Sequence, residues 1–452
     1  MTEPPNIVLV VLDTLRRSTL YDQINSTVAF KKIANDGVLY DNAISPASWT
    51  VPSHASIFSG LYPSEHGVHR RQEEGVMESM DRAHSMKDTL PERMYSAGYE
   101  TTSLHANVLL SGGSGFDVGF DNCLSIGPFE WISAAGKSIK DILGDVDTQT
   151  SAALKHLILN LKFDEIRKIL SINSSLRKQL KAKNFPVDKG GTDIVETATT
   201  YLKNSPSFVF MNFMESHGPH DRLPSNVLLW ERKLTKRTIE DYTGDRPFKG
   251  KEVQRYRRSY HNSVQVMDTQ LSKLVRKLEE KDLYDDTLLV ITSDHGEALK
   301  ENKFVGHGVF LHNTLINIPL MIKYPQSKKF KVENGYQTTI DMRDFLTVWS
   351  NGNKIPFPSR DVVFSEEFGS GHDGLSRVTD GRIDNVEDLN VKRKAVLKNG
   401  IKLVVDGTRG IVEEFEVDGI ATSPKERREA SSDLLEEMSI FTGNEDFIVP
   451  GN

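Results

Sequence analysis

The stretch Asn6-Ile-Val-Leu-Val-Val-Leu-Asp13 holds six consecutive apolar residues, four of them β-branched, and stops at a carboxylate. Without polar alternation, such a run predicts a strand buried on both faces, as inside a mostly parallel sheet. Ser207–Glu215 and Thr287–Asp294 repeat the pattern of apolar run and polar end, and Ile318–Tyr324 runs up to Pro325. Between the later runs, Val253, Tyr256, Tyr260, Val264, Met267, Leu271, Leu274 and Leu278 recur at three- and four-residue spacing. That stripe predicts a long amphipathic helix whose apolar face is core. Strands alternating with helices predict a doubly wound α/β domain, with ligands at the carboxyl ends of the strands.

Further along, the texture changes. Lys394–Lys398, Ile401–Val405 and Ile411–Val417 read as short strands, linked by Asn399-Gly400 and by Asp406–Gly410, with a polar helix over Pro424–Met438. The expected organisation is a catalytic domain over 1–370, with a helical basic insertion at about 125–190, and a small antiparallel α/β subdomain over 385–452. Within 155–185, eight Lys or Arg face Asp164 and Glu165, leaving +6, interleaved with leucines and isoleucines. This reads either as an amphipathic segment that attracts an anionic surface or as a solvated helical insertion.

The 452 residues carry 56 basic and 63 acidic side chains, a formal charge of −7, with 38% hydrophobic residues. That is globular composition, which excludes wholesale disorder, and the absence of a basic excess argues against nucleic acid as a partner. A single cysteine, Cys123, excludes an internal disulfide and any multi-cysteine metal site. Residues 7–12 are too short an apolar run for a signal peptide or a membrane span, so a cytoplasmic location is expected.

Chemistry gathers at the strand ends. Asp13 closes the first run, and Ser293-Asp-His-Gly-Glu297 closes a later one. Hard carboxylates beside an imidazole suit a divalent cation. In Ser48-Trp-Thr-Val-Pro-Ser-His-Ala-Ser-Ile-Phe-Ser-Gly60, Pro52 and Gly60 bracket a short helix that puts Thr50 at its N-terminus. Free N–H groups there favour tetrahedral oxyanions, and metal coordination turns a hydroxyl into a nucleophile. Taken singly, Asp13 and Thr50 also fit plain helix caps.

In order, Asp13, Thr50-Val-Pro-Ser-His-Ala-Ser56, Leu61-Tyr-Pro-Ser-Glu-His-Gly67, His217-Gly-Pro-His220, Ser293-Asp-His-Gly-Glu297 and Ile318-Pro-Leu320 resemble the sulfatase family of the alkaline phosphatase superfamily. The resemblance runs from residue 6 to about 370, and the hairpin-rich tail is similar to that family's C-terminal subdomain. It implies a metal-dependent hydrolase or transferase acting on anionic sulfate or phosphate esters, with Thr50 at the nucleophile position. The departures matter. Formylglycine sulfatases have Cys or Ser where this chain has Thr50, and Arg where it has His54. They usually have a second Asp where this chain has Thr14, and often Asn where it has His295. Threonine cannot become formylglycine, so the pattern is closer to relatives with a threonine nucleophile.

A formylglycine hydrate expels sulfate through its second hydroxyl, whereas a threonine ester must be cleared by attack at sulfur or phosphorus. Phosphate esters, including diesters, are therefore favoured over sulfate esters. Three alternatives stay open: sulfate hydrolysis by a non-formylglycine route, phosphoglycerol- or phosphoethanolamine-type transfer to a lipid or glycan, and binding without turnover. One divalent ion (Mn, Zn, Ca or Mg, a transition-type ion favoured) is expected on Asp13, Thr50, Asp294 and His295. Met214-Glu215-Ser216 stands where two-metal relatives place a further Asp. His217, His220 and His307 are the candidate acid–base or oxyanion-binding residues; His54, Arg16 and Lys303, with Lys300 beside it, are candidate substrate ligands.

Overall fold

The structure, a computed structural model, describes residues 4–71, 76–143, 163–203, 206–220, 223–224, 227, 230–327, 330, 335–370, 386–417, 424–443 and 447. Strand β1 (Asn6–Leu12) lies inside an eight-stranded sheet with β2 (Val38–Ile44), β3 (Glu100–His105), β4 (Asn122–Ser125), β5 (Ser207–Phe213) and β6 (Thr287–Thr292). β7 (Ala298–Leu299) and β8 (Val305–Gly306) form a separate two-stranded ribbon; β9 (Asn317–Lys323) and β10 (Gln337–Thr338) return to the large sheet. Its order is β10-β2-β9-β6-β1-β5-β3-β4. β1 pairs in parallel with both β5 and β6, which brings the carboxyl ends of all three side by side.

The unbroken apolar run of β1 serves two cores. Val8, Val10 and Leu12 pack with Val264, Met267 and Leu271 of helix Gly250–Glu280. Ile7, Leu9 and Val11 pack with Val51, Ala55 and Phe58 of helix Thr50–Ser59 and with Phe345 and Trp349 of helix Met342–Ser350. One expectation is corrected here. The Ile318–Tyr324 run forms β9, which is antiparallel to both β6 and β2. Unbroken hydrophobicity reports burial on two faces and carries no information on strand direction.

Four strands, β11 (Val362–Glu367), β12 (Arg393–Lys398), β13 (Ile401–Asp406) and β14 (Ile411–Val417), form a second, antiparallel sheet. Its first strand lies inside the span 1–370 read from the sequence as catalytic domain. Helix Pro424–Thr442 covers one face through Leu434 and Met438. On the other face, Ala395, Leu397 and Val404 pack on Phe304, Phe310 and Leu311, beside the loop that carries His307. Helix Phe163–Ala182 buries Leu176 and Leu180 in the main core, while Leu170 stays 60% exposed; residues 155–162 lie outside the described residues. No helix among the described residues is long and apolar enough to cross a membrane.

Candidate active site and metal centre

Asp13 follows β1 directly, and its backbone N–H donates to Phe213 O at the end of β5 (2.8 Å). Asp294 and His295 follow β6. These three residues are fully buried, and one donor atom from each lies within 4.8 Å of the others. Each donor atom is freed by the bonds its partner atom makes. Asp13 Oδ2 accepts from Asn107 Nδ2 (2.8 Å), leaving Oδ1 unpartnered. Asp294 Oδ1 accepts from the Thr14 and His295 amides (3.2 and 2.9 Å), leaving Oδ2 unpartnered. His295 Nδ1–H donates to Gly296 O (2.8 Å), so the lone pair is on Nε2, 3.5 Å from Asp294 Oδ2 and 4.0 Å from Asp13 Oδ1.

Buried carboxylate oxygens without partners are costly unless something charged meets them. Burial, and then the charge of Asp294, raises the pKa of Asp13; burial raises that of Asp294. Burial, then the neighbouring His307, drives His295 down to about 3, which leaves it a neutral ligand. Ligands at about 2.0–2.5 Å from a shared cation stand about 3–4 Å apart, and His295 Nε2 lies 3.5 and 4.0 Å from the two carboxylate oxygens, with all three atoms within 4.8 Å. The residues therefore fit a divalent metal ion.

Thr50 is the first residue of helix Thr50–Ser59, with extended Trp49 as its cap. Its Oγ1 lies 3.4 Å from His295 Nε2, so the hydroxyl stands at both the metal centre and the free amides of a helix N-terminus. Gly60 ends the helix in the left-handed region at φ 68°. Thr14 takes φ 64°, a strained setting for a β-branched residue, and this turns its amide onto Asp294. Tyr260 fixes that turn: its hydroxyl donates to Thr14 O (2.6 Å) and accepts from Arg16 N (3.0 Å).

On the open side stand two histidines. His307 Nδ1–H donates to Glu297 Oε2 (3.0 Å), and its ring centre is 4.6 Å from that of His295 and 5.4 Å from that of His217. Burial works against the His307 cation, but Glu297 outweighs it and the pKa rises. His217, half-buried, ties Nδ1 to Gly218 O (3.1 Å), which leaves Nε2 for a substrate.

Five expected residues are placed otherwise. His220 makes no hydrogen bond with either ring nitrogen, lies edge-on to Tyr256 (4.4 Å) and lines a separate cavity; burial pushes its pKa well below the usual histidine range. The His54 ring sits among Phe58, Phe116 and Phe210, with Nδ1–H donating to Thr50 O (2.9 Å) and 3.6 Å from Asp294 Oδ2. It supports Asp294 and the first helical turn rather than facing a substrate. Arg16 spends its guanidinium on Glu301 (2.8 and 3.2 Å) and on Glu297 O, a brace and not an oxyanion ligand. Lys303 stands on an exposed turn, and Lys300 is held by Asp241.

The sequence reading missed Asn107, which follows β3 and so carried the same strand-end signal as Asp13. It quoted Glu297 without giving it a role. It also passed over Arg70, which covers the Trp49 ring at 4.0 Å and donates to Gly308 O (3.2 Å), beside both Thr50 and His307.

An α/β sheet with a buried Asp–Asp–His centre at its carboxyl edge and a hydroxyl on a facing helix defines a metal-site fold of the alkaline phosphatase type. Residues 5–349 match the sulfatase family model, and the chain belongs to that family. It is 23% identical to an N-acetylglucosamine-6-O-sulfatase of Bacteroides thetaiotaomicron over 378 residues, 73% of this chain and 64% of that protein. The chain thus spans less than two thirds of that relative's length. Among solved structures, a 2-O GAG sulfatase superposes with a TM-score of 0.63 at 15% identity, covering 98% of this chain and 93% of that one. The phosphonate monoester hydrolase of Agrobacterium radiobacter superposes with 0.60 at 16% identity, covering 97% and 95%.

Proposed function

We propose that this chain is a metal-dependent hydrolase of anionic esters, phosphate esters favoured over sulfate esters, with Thr50 as its covalent nucleophile. The observation that carries the reading is the convergence of Thr50 Oγ1 with the donor atoms of Asp13, Asp294 and His295. These three, with Thr50, would hold one divalent ion of the Mn or Zn type. Bound there, such an ion lowers the pKa of a coordinated hydroxyl and offsets charge on an ester oxygen. Thr50 Oγ attacks phosphorus, its helix amides meet the charged equatorial oxygens, and His217 protonates the departing oxygen. His307, whose Nδ1–H donates to Glu297, stands beside His295 and His217 and would face the remaining charge. Water then attacks phosphorus to release the threonine ester, because an unmodified threonine offers no second hydroxyl for elimination.

The sulfatase and phosphonate monoester hydrolase named above support the class of reaction. The test is a panel of nitrophenyl phosphate, bis-nitrophenyl phosphate, a phosphonate ester and nitrophenyl sulfate, run with the metal-loaded protein. Phosphorus esters should turn over faster than sulfate. Thr50→Ala should lose about 10³-fold or more in kcat while Thr50→Ser retains part of it. Faster sulfate turnover reverses the substrate preference, and full activity in Thr50→Ala removes Thr50 from the chemistry.

A further inference from the structure

Beside the metal centre, and touched by none of its ligands, lies a cavity of about 360 Å³. Trp230, Leu234, Phe248, Val253, Leu299 and Val305 give it apolar walls, and His220 and Tyr256 also line it. Three observations join it to the reacting atoms. Leu299 and Val305 face each other across the β7–β8 ribbon. The residues flanking that ribbon are Glu297 and His307, already bonded to each other. At about 3.3 Å per residue, the apolar wall starts about 7 Å from the Glu297–His307 pair. Tyr256, which lines the cavity, reaches the same pair, its hydroxyl donating to Glu297 Oε1 (3.4 Å). Finally, Gly218, next to His217, lies against Trp230: a Cβ on it would stand 3.2 and 3.4 Å from two indole carbons.

We infer that this cavity receives the apolar organic group of the ester, an alkyl chain or aryl ring carried on the oxygen that His217 protonates. A volume above 300 Å³ with predominantly apolar walls is that of a site for a small organic molecule rather than for a few waters. A sugar, with a hydroxyl on nearly every carbon, would leave those groups without partners against Leu234, Val253 and Val305. Among the described lining residues, Lys233, Arg237 and Arg255 stand with Glu252, which pairs with Arg237 at 3.8 Å, a positive excess suited to an anionic substrate. The ring of His220 stands edge-on to Tyr256 and Tyr260, and its two ring nitrogens, which make no hydrogen bond, are the polar contact this wall offers. This inference rests on the proposed ester-hydrolase reading and specifies its substrate.

The test separates the two. n-Alkylphosphonates from methyl to octyl, whose C–P bond the proposed chemistry does not cleave, are titrated calorimetrically into the metal-loaded full chain. Affinity should rise about three- to four-fold per methylene until the cavity is filled, with a negative heat-capacity change. In Val253→Trp the octyl-to-methyl affinity ratio should collapse towards one, and in Leu234→Asn it should fall at least ten-fold. A folded Leu234→Asn that keeps the ratio, an affinity independent of chain length, or no binding by any member overturns the inference. A chain-length gradient without turnover of any ester leaves the cavity standing and removes the hydrolase reading. Turnover with a flat gradient does the reverse.

Discussion

Asn107 shows what a single residue contributes without touching the reacting atoms. Its amide holds Asp13 Oδ2, so that Oδ1 alone turns to the metal centre. Removing the amide frees Asp13 to rotate and leaves a second carboxylate oxygen buried without a donor. Asn107→Leu should therefore weaken Mn²⁺ or Zn²⁺ binding by about 10–100-fold, measured by calorimetry, with the fold intact by circular dichroism. An unchanged affinity would mean that Asp13 is oriented by its backbone alone. The residues in this site differ in how legible they are from sequence. Asp13, Asp294, His295 and Thr50 announce themselves through ligand chemistry at a strand end or helix start. Asn107 has no such chemistry. Arg16 misled because closeness to Asp13 along the chain says nothing of direction: the helix Arg17–Tyr21 begins there, and the guanidinium leaves with it towards Glu301. His217 and His220 follow one strand, and only the packing of Gly218 on Trp230 and of His220 on Tyr256 tells them apart.

Among elements, the helix Thr50–Ser59 carries the greatest constraint, because all ten of its residues are buried and its first is the proposed nucleophile. Such a helix is positioned by its ends. At the start, Trp49 lies under Arg70; at the finish, Gly60 turns left-handed while Arg343 reaches Ser59 O. A Cβ at Gly60 would lie 2.8 Å from Arg343 Nε, in addition to the cost of the left-handed conformation for any L side chain. Gly60→Ala should cost about 1–3 kcal/mol and lower the urea midpoint; a midpoint unchanged within error would show that Arg343 yields without loss. Pro52 and Gly60 made this helix readable in the sequence, as the period of Val253–Leu278 did for helix Gly250–Glu280. The direction of β9 was not readable, since an interior strand has the same apolar run whichever way it lies.

At the scale of the whole molecule, the antiparallel sheet bears directly on the active site. The end of β11 docks on both sides of helix Thr50–Ser59: Glu366 Oε2 accepts from Ser64 N (2.8 Å), Glu366 N donates to Pro46 O (2.8 Å), and Glu367 Oε2 accepts from Ser48 Oγ (2.6 Å). The second sheet is thus part of the frame that places Thr50. Glu367 gives this docking a dependence on pH. Burial raises its pKa to about 7, against the lowering by Arg70 and the Ser48 hydroxyl. A carboxyl whose pKa is raised by folding binds its proton more tightly in the native state, so native stability is greatest below about pH 4.5 for this group and declines as pH rises towards 7. Above pH 7 the group contributes a constant penalty, of about 3 kcal/mol at most from a shift of this size. Glu367→Gln keeps an acceptor for Ser48 and removes the titration. Relative to the parent chain, its thermal midpoint should therefore improve between pH 5 and pH 8, with the difference flat above pH 8. A difference that is the same at both pH values, or that shrinks as pH rises, would mean that Arg70 holds Glu367 ionised throughout and that the docking of the two sheets is indifferent to pH.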